Sequence, residues 1–446
     1  MAAPLGADEF SALMAALGPF ENEPVVAVAV SGGPDSMTLA ALALHWARDR
    51  GGRVEGLIVD HGLRPDSTDE ARRVAEWLGS LGIGRRILTW QGNKPRSDVQ
   101  AIARTARYGL MGDWCRHSGV AHLLLGHHQD DLAETFVLRL ERHSGLDGLA
   151  AMAAIVETRH GRLLRPLLTV PQARLRATLH EHQLPSVDDP SNRDRRYGRV
   201  RVRQMMPYLA DDGVTAVRLA RTALAMGRGR CFMDHAVARR LARAAAPHGA
   251  GFCWLDPTAY GAAPDEVARR ALTRVLLYVG GGGPYPPRSE RLERLHRAIA
   301  DGALDGGRTL AGCRILPRRR GLLVCREPGR VFDTVALQAG DSVAWDWRFR
   351  ICLGAGASGG YSIRRLGFKG RTAVAESPGD RGDCPVPAAV QPSLPAIFDL
   401  DGVVAVPHLN FVRENSGERA IEGLTAVFRP VHFLYPAGFA FAGAGE

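Results

Sequence analysis

The most informative stretch of the chain is Val25-Val26-Ala27-Val28-Ala29-Val30-Ser31-Gly32-Gly33-Pro34-Asp35-Ser36. An apolar strand runs into two glycines, and a helix begins at once. Glycine lets the backbone turn tightly and come close to a ligand. Successive amides and a helix N-terminus then present donors to an anion. Ser31 and Ser36 add hydroxyls. No Gly-Lys-Ser/Thr follows, so this is not a Walker A loop, and the glycine spacing is not that of a dinucleotide fold. Asp35 beside a phosphate site requires a counter-charge, and bound magnesium would supply it.

Outward from this loop, the first half reads as repeated strand–helix units. Strands are expected at Val25 to Val30, Val54 to Val59, Gly84 to Leu88 and Ala121 to Leu125. Helices are expected at Met37 to Ala47, Ser67 to Leu78, Ser97 to Cys115 and Gln129 to Leu140. Continuous apolar strands alternating with amphipathic helices imply an α/β fold with a parallel sheet covered on both faces. Ligands on such sheets sit beyond the carboxyl ends of the strands. The distinctive residues fall there, at Ser31 to Ser36, Asp60 to Arg64 and Gly126 to Asp131. Arg165 to Leu168 reads as a last short strand or a turn, and Pro171 to His182 as a helix. Ser186 to Arg203 is polar and basic, a surface segment.

From about Val214 to Ala300 the pattern is mostly helical, interrupted at Gly280 to Pro287. A hairpin follows, with strands near Thr309–Leu316 and Leu322–Arg326. The last hundred residues are rich in Gly and Pro with short apolar runs, which favours a small C-terminal α+β domain. Three domains are expected, at 1–215, 216–330 and 340–446, and the final ten residues are expected to fray.

The chain has 446 residues, 46% hydrophobic and 23% charged, with net charge +10. That composition excludes a disordered or fibrous protein. Only Lys94 and Lys369 are lysines, so the positive charge is almost entirely guanidinium, which suits a phosphate-rich partner. The seven cysteines form no close pair, which argues against a disulfide framework or a zinc knuckle. The first twenty residues lack Lys and Arg, and no apolar run approaches the roughly 20 residues that cross a bilayer. A cytoplasmic protein with no membrane association is expected.

Three further segments carry chemistry. In Asp60-His61-Gly62-Leu63-Arg64, Asp60 could meet a ribose hydroxyl or a base amine and Arg64 a phosphate; an ordinary strand-to-helix loop would look similar. Arg104 and Arg107 share one helix face with Tyr108 adjacent, either as a solvated basic stripe or as phosphate contacts. In Gly126-His127-His128-Gln129-Asp130-Asp131-Leu132-Ala133-Glu134, carboxylates cluster at a helix start. They could hold magnesium, attract an ammonium group, or cap the helix. The paired histidines lack zinc-spaced partners. Finally, Arg193, Arg195, Arg196, Arg199, Arg201 and Arg203 suit phosphate. If extended, Arg199, Arg201 and Arg203 would line one side.

Ser31 to Ser36 resembles the pyrophosphate-binding (PP-loop) segment of the N-type ATP pyrophosphatases, which cleave ATP between the α and β phosphates and adenylate an oxygen. The full set resembles the tRNA(Ile)-lysidine synthase family. It comprises Ser31 to Ser36, Asp60 to Arg64, Ala103 to Tyr108, Gly126 to Thr135, Arg165-Pro166-Leu167-Leu168, Asp189-Pro190-Ser191-Asn192 and Arg199 to Arg203. The likeness covers most of the first 215 residues and continues more faintly in Thr309 to Glu327 and Pro387 to Pro407. Two departures stand out. His143 occupies a position where the family tends to have glycine, and Ala389-Val390-Gln391 lacks an arginine the family often carries.

The resemblance implies that lysine is ligated to C2 of the wobble cytidine in the CAU anticodon of an isoleucine tRNA. ATP, Mg2+ and L-lysine take part, and a homodimer is a plausible assembly. It further implies that Ser31, Gly32, Gly33, Pro34, Asp35, Ser36, Asp60, His61 and Arg64 bind the nucleotide. Asp35, Asp130 and Asp131 would hold the metal, and Asp35, Asp130, Asp131, Glu134 and Arg104 would serve catalysis. Arg107, Arg195, Arg196, Arg199, Arg201 and Arg203 would meet tRNA, with residues 1–215 as the catalytic domain and those at 216–330 and 340–446 as tRNA-binding domains. Two rival readings are a tRNA cytidine 2-thiolation enzyme, which would want a Cys-x-x-Cys pair absent here, and a non-catalytic RNA-binding module.

Overall fold

The computed structural model describes residues 2–63, 66–92, 99–187, 194–282, 287–331, 333–357, 359–377, 385–414 and 421–441. Arg64, Ser97, Asp189 to Asn192 and Arg193 lie outside the described residues. The chain divides into two compact units, residues up to Phe232 together with the stretch from Ala437 onward, and Met233–Pro436. Among the described residues no helix is long and apolar enough to cross a membrane.

The first unit runs α1 (Ala7–Ala15), β1 (Val25–Ala29), α2 (Pro34–Arg48), β2 (Arg53–Asp60), α3 (Ser67–Ser80), β3 (Gly84–Thr89), α4 (Val99–Ser118), β4 (His122–Leu124) and α5 (Gln129–Glu141). It continues through α6 (Leu146–Leu149), β5 (Ile155–Thr158), β6 (Gly161–Leu164), α7 (Gln172–Glu181) and α8 (Gly198–Asp211) into α9 (Ala216–Ala244). The sheet order is β3-β2-β1-β4-β6-β5. All neighbours pair in parallel except the β5–β6 hairpin at the edge. Successive strand residues point to opposite faces. Val26 and Val28 therefore enter the core under α2 and α3, while Ala27 and Leu57 pack with Met111 and Cys115 of α4. The expected sheet covered on both faces is present. The order reverses between β1 and β4, so a crevice opens at their carboxyl ends.

Of the two readings of Arg165 to Leu168 the turn is the one present, with Leu167 and Leu168 fully buried, and the strands of that region lie earlier, at β5 and β6. Two expectations need correction here. The Arg199–Arg203 stretch is not extended: it is the first turn and a half of α8. The alternating Arg-Val pattern has the period of a strand, but ion pairs to α5 hold it as a helix. The chain terminus does not fray as far as it is described. The Ala154 N–H donates to the Ala440 carbonyl at 2.7 Å, and Phe439 packs under the Arg230 guanidinium.

The second unit holds β7 (Ala245–His248), β8 (Phe252–Leu255), α10 (Pro257–Gly261), α11 (Asp265–Gly280), α12 (Ser289–Ala300), β9 (Arg308–Leu310), β10 (Cys313–Arg318) and β11 (Gly321–Arg326). The β7–β8 hairpin interrupts what the sequence pattern reads as continuous helix. The expected Thr309–Leu316 strand is broken at Ala311 and Gly312, both at positive φ (51° and 72°), a two-residue hairpin turn. The five strands are ordered β7-β8-β11-β10-β9, and the helices cover one face with Leu272, Val275, Leu276 and Ile299. Beyond them lie β12 (Val335–Leu337), β13 (Ser342–Trp345), β14 (Phe349–Cys352), β15 (Tyr361–Arg365), α13 (Gly367–Glu376), β16 (Pro395–Phe398), β17 (Val403–Val406), β18 (Phe411–Val412) and β19 (Thr425–Phe428). These make a five-stranded and a three-stranded sheet, the β-rich C-terminal region the composition implies.

Candidate active site

The loop after β1 takes the shape its glycines allow. Gly32 has φ +83°, and an added Cβ would lie 2.5 Å from Val74 Cγ2, so a side chain is excluded on both counts. Gly33 is the N-cap of α2 and Pro34 its first residue, the position where a missing N–H costs nothing. The Ser36 hydroxyl donates to the Gly33 carbonyl at 2.9 Å and accepts from the Ser31 N–H at 3.2 Å. Ser36 thus ties the loop into a ring, and the amides of the first helical turn remain for an anion. Gly126, after β4, permits the close approach of this turn: a Cβ there would lie 3.3 Å from the Asp35 carbonyl.

Asp35 points into a cluster of carboxylates organised by a buried histidine. His128 Nε2 lies 3.5 Å from Asp35 Oδ2 and 3.4 Å from Asp131 Oδ2, and Nδ1 lies 3.6 Å from Asp130 Oδ2. Burial opposes a charge on this ring, but its contacts with Asp130, Asp35 and Asp131 prevail and raise its pKa to about 10. His128 is therefore an imidazolium at neutral pH. Asp130 also accepts from the Gln172 N–H at 2.8 Å. Although burial works against its charge, His128 and that N–H hold Asp130 below the usual carboxylate range. The Gln172 side chain reaches Asp35 Oδ2 at 3.4 Å. Asp35 Oδ1 is buried with no partner.

Asp131 and Glu134 form a second edge of the cluster. Glu134, 2% exposed, accepts two hydrogen bonds from Arg203, at 2.7 and 3.2 Å. Arg199 lies 3.5 Å from Glu134 and 3.7 Å from Asp131, and it donates to the Thr135 hydroxyl at 3.1 Å. Burial raises the Glu134 pKa despite Arg203. Four residues apart in α8, Arg199 and Arg203 share one face and meet α5. Arg201 turns away and donates to the Arg195 and Arg196 carbonyls, while Arg196 pairs with Asp194. Arg195 is exposed.

Across the crevice, Arg104 stacks on Tyr108 with its guanidinium 5.1 Å from the ring centroid. Arg165, 8% exposed, donates to His127 Nδ1 at 3.2 Å and to the Ala153 carbonyl at 2.7 Å. Burial, then the charge of Arg165, pushes His127 down to about 3, so this ring is a neutral acceptor. Arg107 is exposed on the same helix.

Asp60 ends β2 with both oxygens engaged. Oδ1 accepts from the Gly62 N–H and the Ser67 hydroxyl, and Oδ2 accepts from the Thr68 hydroxyl. Burial is outweighed by these donors, so its pKa is lowered. His61 Nδ1 accepts from the Leu63 N–H. In this arrangement Asp60 and His61 order the turn into α3.

The structure thus gathers Asp35, Asp130, Asp131 and Glu134, with Arg199 and Arg203 joined to them. Arg195, Arg196 and Arg201 lie apart on the surface. Sequence reasoning missed His128, Gln172 and Arg165 as site residues. His128 lies beside three marked carboxylates, but only the fold reveals that all three converge on its ring. Among the described residues no three His, Cys, Asp or Glu side chains form a ready metal cage. Magnesium needs only one or two carboxylates when phosphates supply other ligands, and the unpartnered Asp35 oxygen fits that role.

The PP-loop domain family matches residues 7–209, a span that includes the glycine turn opening α2 at the switch point of the parallel sheet. The chain is 39% identical over 348 residues to the tRNA(Ile)-lysidine synthase of a Bradyrhizobium strain, covering 73% of this chain and 96% of that one. It is 40% identical over 314 residues to the enzyme of the same name from Methylobacterium nodulans, covering 68% and 90%. For the Wolbachia pipientis relative, identity is 32% over 400 residues, covering 89% and 91%. The chain belongs to the tRNA(Ile)-lysidine synthase family.

Proposed function

We propose that this chain is an ATP-dependent ligase that joins L-lysine to C2 of the wobble cytidine in an isoleucine tRNA with a CAU anticodon. The observation that carries the reading is the Gly32–Gly33 turn, set beside a carboxylate cluster in which Asp35 keeps one buried oxygen unpaired. In the first step the cytidine O2 attacks the α-phosphorus of ATP, pyrophosphate leaves, and C2 carries an O-adenylate. The amides of the loop and the first turn of α2 stabilise charge growing on the pyrophosphate. Asp35, with Asp130 or Asp131, would hold magnesium, which supplies charge neutralisation to the leaving group. Arg104 and Arg165 line the opposite wall, where guanidinium groups suit the α-phosphate.

In the second step the lysine ε-amine attacks C2 and AMP leaves with the former O2. An ammonium with a reference pKa near 10.4 must first lose a proton. Asp131 and Glu134 already receive cationic side chains, and burial raises the Glu134 pKa toward that of a proton acceptor. We assign ammonium binding and proton removal to this pair. Asp60 and His61 shape the adjoining nucleotide loop, and we assign Arg64 to a nucleotide phosphate. Arg107, Arg195, Arg196 and Arg201 supply tRNA backbone contacts, while Arg199 and Arg203 act at the carboxylates.

The test is incubation with bulk bacterial tRNA, labelled lysine and Mg-ATP, omitting each in turn. Label should enter one tRNA species, require ATP, and accompany equimolar AMP and pyrophosphate. Release of ADP, or label independent of ATP, would sink the reading.

A further inference from the structure

Residues 438–441 belong to the first unit, although the whole of the second unit precedes them in the chain. Their docking is specific. The Ala440 carbonyl accepts from the Ala154 N–H at 2.7 Å, and Ala440 forms an antiparallel bridge with Ile155, the first residue of β5. β5 is the edge strand of its sheet, so its outer backbone groups are open to an incoming segment. Phe439 is buried, with the Arg230 guanidinium 4.4 Å from its ring centroid. α9 makes room for it. Gly227 lies inside that helix, where glycine is a poorer residue than alanine. A Cβ on Gly227 would lie 3.1 Å from both the Phe439 ring and the Phe441 Cβ. The missing side chain is the space that the two phenylalanines use.

The docked segment touches a peptide group that also serves the active site. The carbonyl of Ala153 and the N–H of Ala154 are the two ends of one planar peptide. The N–H end donates to Ala440, and the carbonyl end accepts from the Arg165 guanidinium at 2.7 Å. The same guanidinium donates to His127 Nδ1 at 3.2 Å, and the Arg165 N–H donates to the Ala154 carbonyl at 2.9 Å. Fixing one end of a rigid peptide fixes the direction of the other. A bonded N–H also polarises its own carbonyl into a stronger acceptor. A purely structural strap would meet β5 along its length. Here the hydrogen bond falls on the peptide that holds an active-site guanidinium.

We infer that Phe439 and Ala440 form a strap that orients the 153–154 peptide, so that its carbonyl aims Arg165 at the nucleotide. The inference rests on the reading above that sets Arg165 at the α-phosphate. Arg165 is the group that touches substrate, and the strap is a positioning element. With the strap displaced, the Ala154 N–H turns to water and the Ala153 carbonyl tilts. Arg165 then keeps its charge and loses its fixed direction.

The test uses the full chain, labelled ATP and transcribed CAU-anticodon isoleucine tRNA, with lysine omitted so that AMP transfer alone is read. Gly227→Leu fills the space under Phe439 while keeping a good helix former in α9. Phe439→Ala removes the anchor without touching α9. Either should slow single-turnover AMP transfer about tenfold, the scale of a misplaced contact rather than a lost one. tRNA affinity should stay within about twofold, because the positioning acts on the reacting geometry and not on binding. Phe439→Leu should restore most of the rate. Hydrogen exchange read by mass spectrometry should speed up at the segment containing Ala154 in both damaged variants. In an Arg165→Ala background, Gly227→Leu should cost less than about a further twofold, since the residue through which it acts is gone.

Faster exchange at Ala154 with an unchanged rate of AMP transfer overturns the positioning role. So does an equal loss with and without Arg165, which would make the strap a general brace of the first unit. Exchange that stays slow in both variants overturns the docking itself. If wild type transfers no AMP to tRNA, the functional reading fails and the role of the strap falls with it. If wild type transfers AMP and both variants match it, only the strap fails.

Discussion

Two buried charge clusters, one in each unit, are built to opposite specifications. In the second unit Asp346 lies between two guanidiniums. Arg326 donates to it at 2.8 and 3.1 Å and Arg348 at 2.7 Å. Arg348, 1% exposed, also donates to the carbonyls of Gly251, Val279 and Ser393. Both oxygens of Asp346 are used. In the first unit Asp35, Asp130, Asp131 and Glu134 crowd around His128, Arg199 and Arg203, yet Asp35 Oδ1 is buried without a hydrogen-bond partner. An orphaned buried polar atom costs about 1–3 kcal/mol. A saturated cluster ties chain segments together, whereas an unsaturated one reserves valence for something that is not protein.

The sharpest way to break this contrast is Asp35→Ala. AMP transfer to tRNA should fall about a thousandfold or more, the scale on which a lost electrostatic contact to a transition state acts. The urea midpoint should hold or rise, because a carboxylate in a like-charged crowd is removed. Normal single-turnover adenylation by this protein would end the assignment. Asp346→Ala should do the reverse. Two guanidiniums lose their shared partner, and stability should drop by about 3–5 kcal/mol, read from denaturant unfolding. Lysine incorporation per folded molecule should be retained. A midpoint indistinguishable from wild type would refute the structural role.

A third comparison uses pH. The His128 pKa is raised in the folded state to about 10 from an ordinary value of 6.5. Its contribution to stability is complete below about 6.5 and disappears as pH rises through about 10. Thermal stability should therefore decline across the alkaline range, and His128→Gln should flatten that decline. A wild-type melting temperature constant from neutral pH to about 10 would contradict an imidazolium at this position.

The smallest effect belongs to His143. This residue lies just past α5 with φ +52°, the left-handed region that glycine enters freely. His143→Gly should stabilise the protein by about 1 kcal/mol, with unchanged lysine transfer, measured by chemical denaturation. A loss of stability would mean that the histidine earns its place through its ring.

How much of this was legible in advance differs between segments. The loop Ser31 to Ser36 was readable because its constraint is local: a strand, two glycines and a proline allow few backbone paths. The parallel units around it follow from continuous apolar runs. The α8 helix was not legible, since Arg199-Val200-Arg201-Val202-Arg203 has a strand's period and its helical form depends on Glu134, sixty-five residues earlier in the chain. The β7–β8 hairpin was hidden for the same reason, as Phe252 to Leu255 becomes a strand by pairing with β11.

By itself the sequence determined the glycine turn, the alternation that builds the first sheet, and which carboxylates lie near its edge. Each depends on residues within a few positions of one another, where φ/ψ preferences and hydrophobic period act directly. Tertiary structure alone decided that His128 would carry a proton among three aspartates and that Arg203 would cover Glu134. It also laid Phe439 against Gly227 and the Ala440 carbonyl over the Ala154 N–H. Those outcomes depend on distances between side chains remote in the chain, and Coulomb and desolvation energies are set by such distances rather than by order along the backbone.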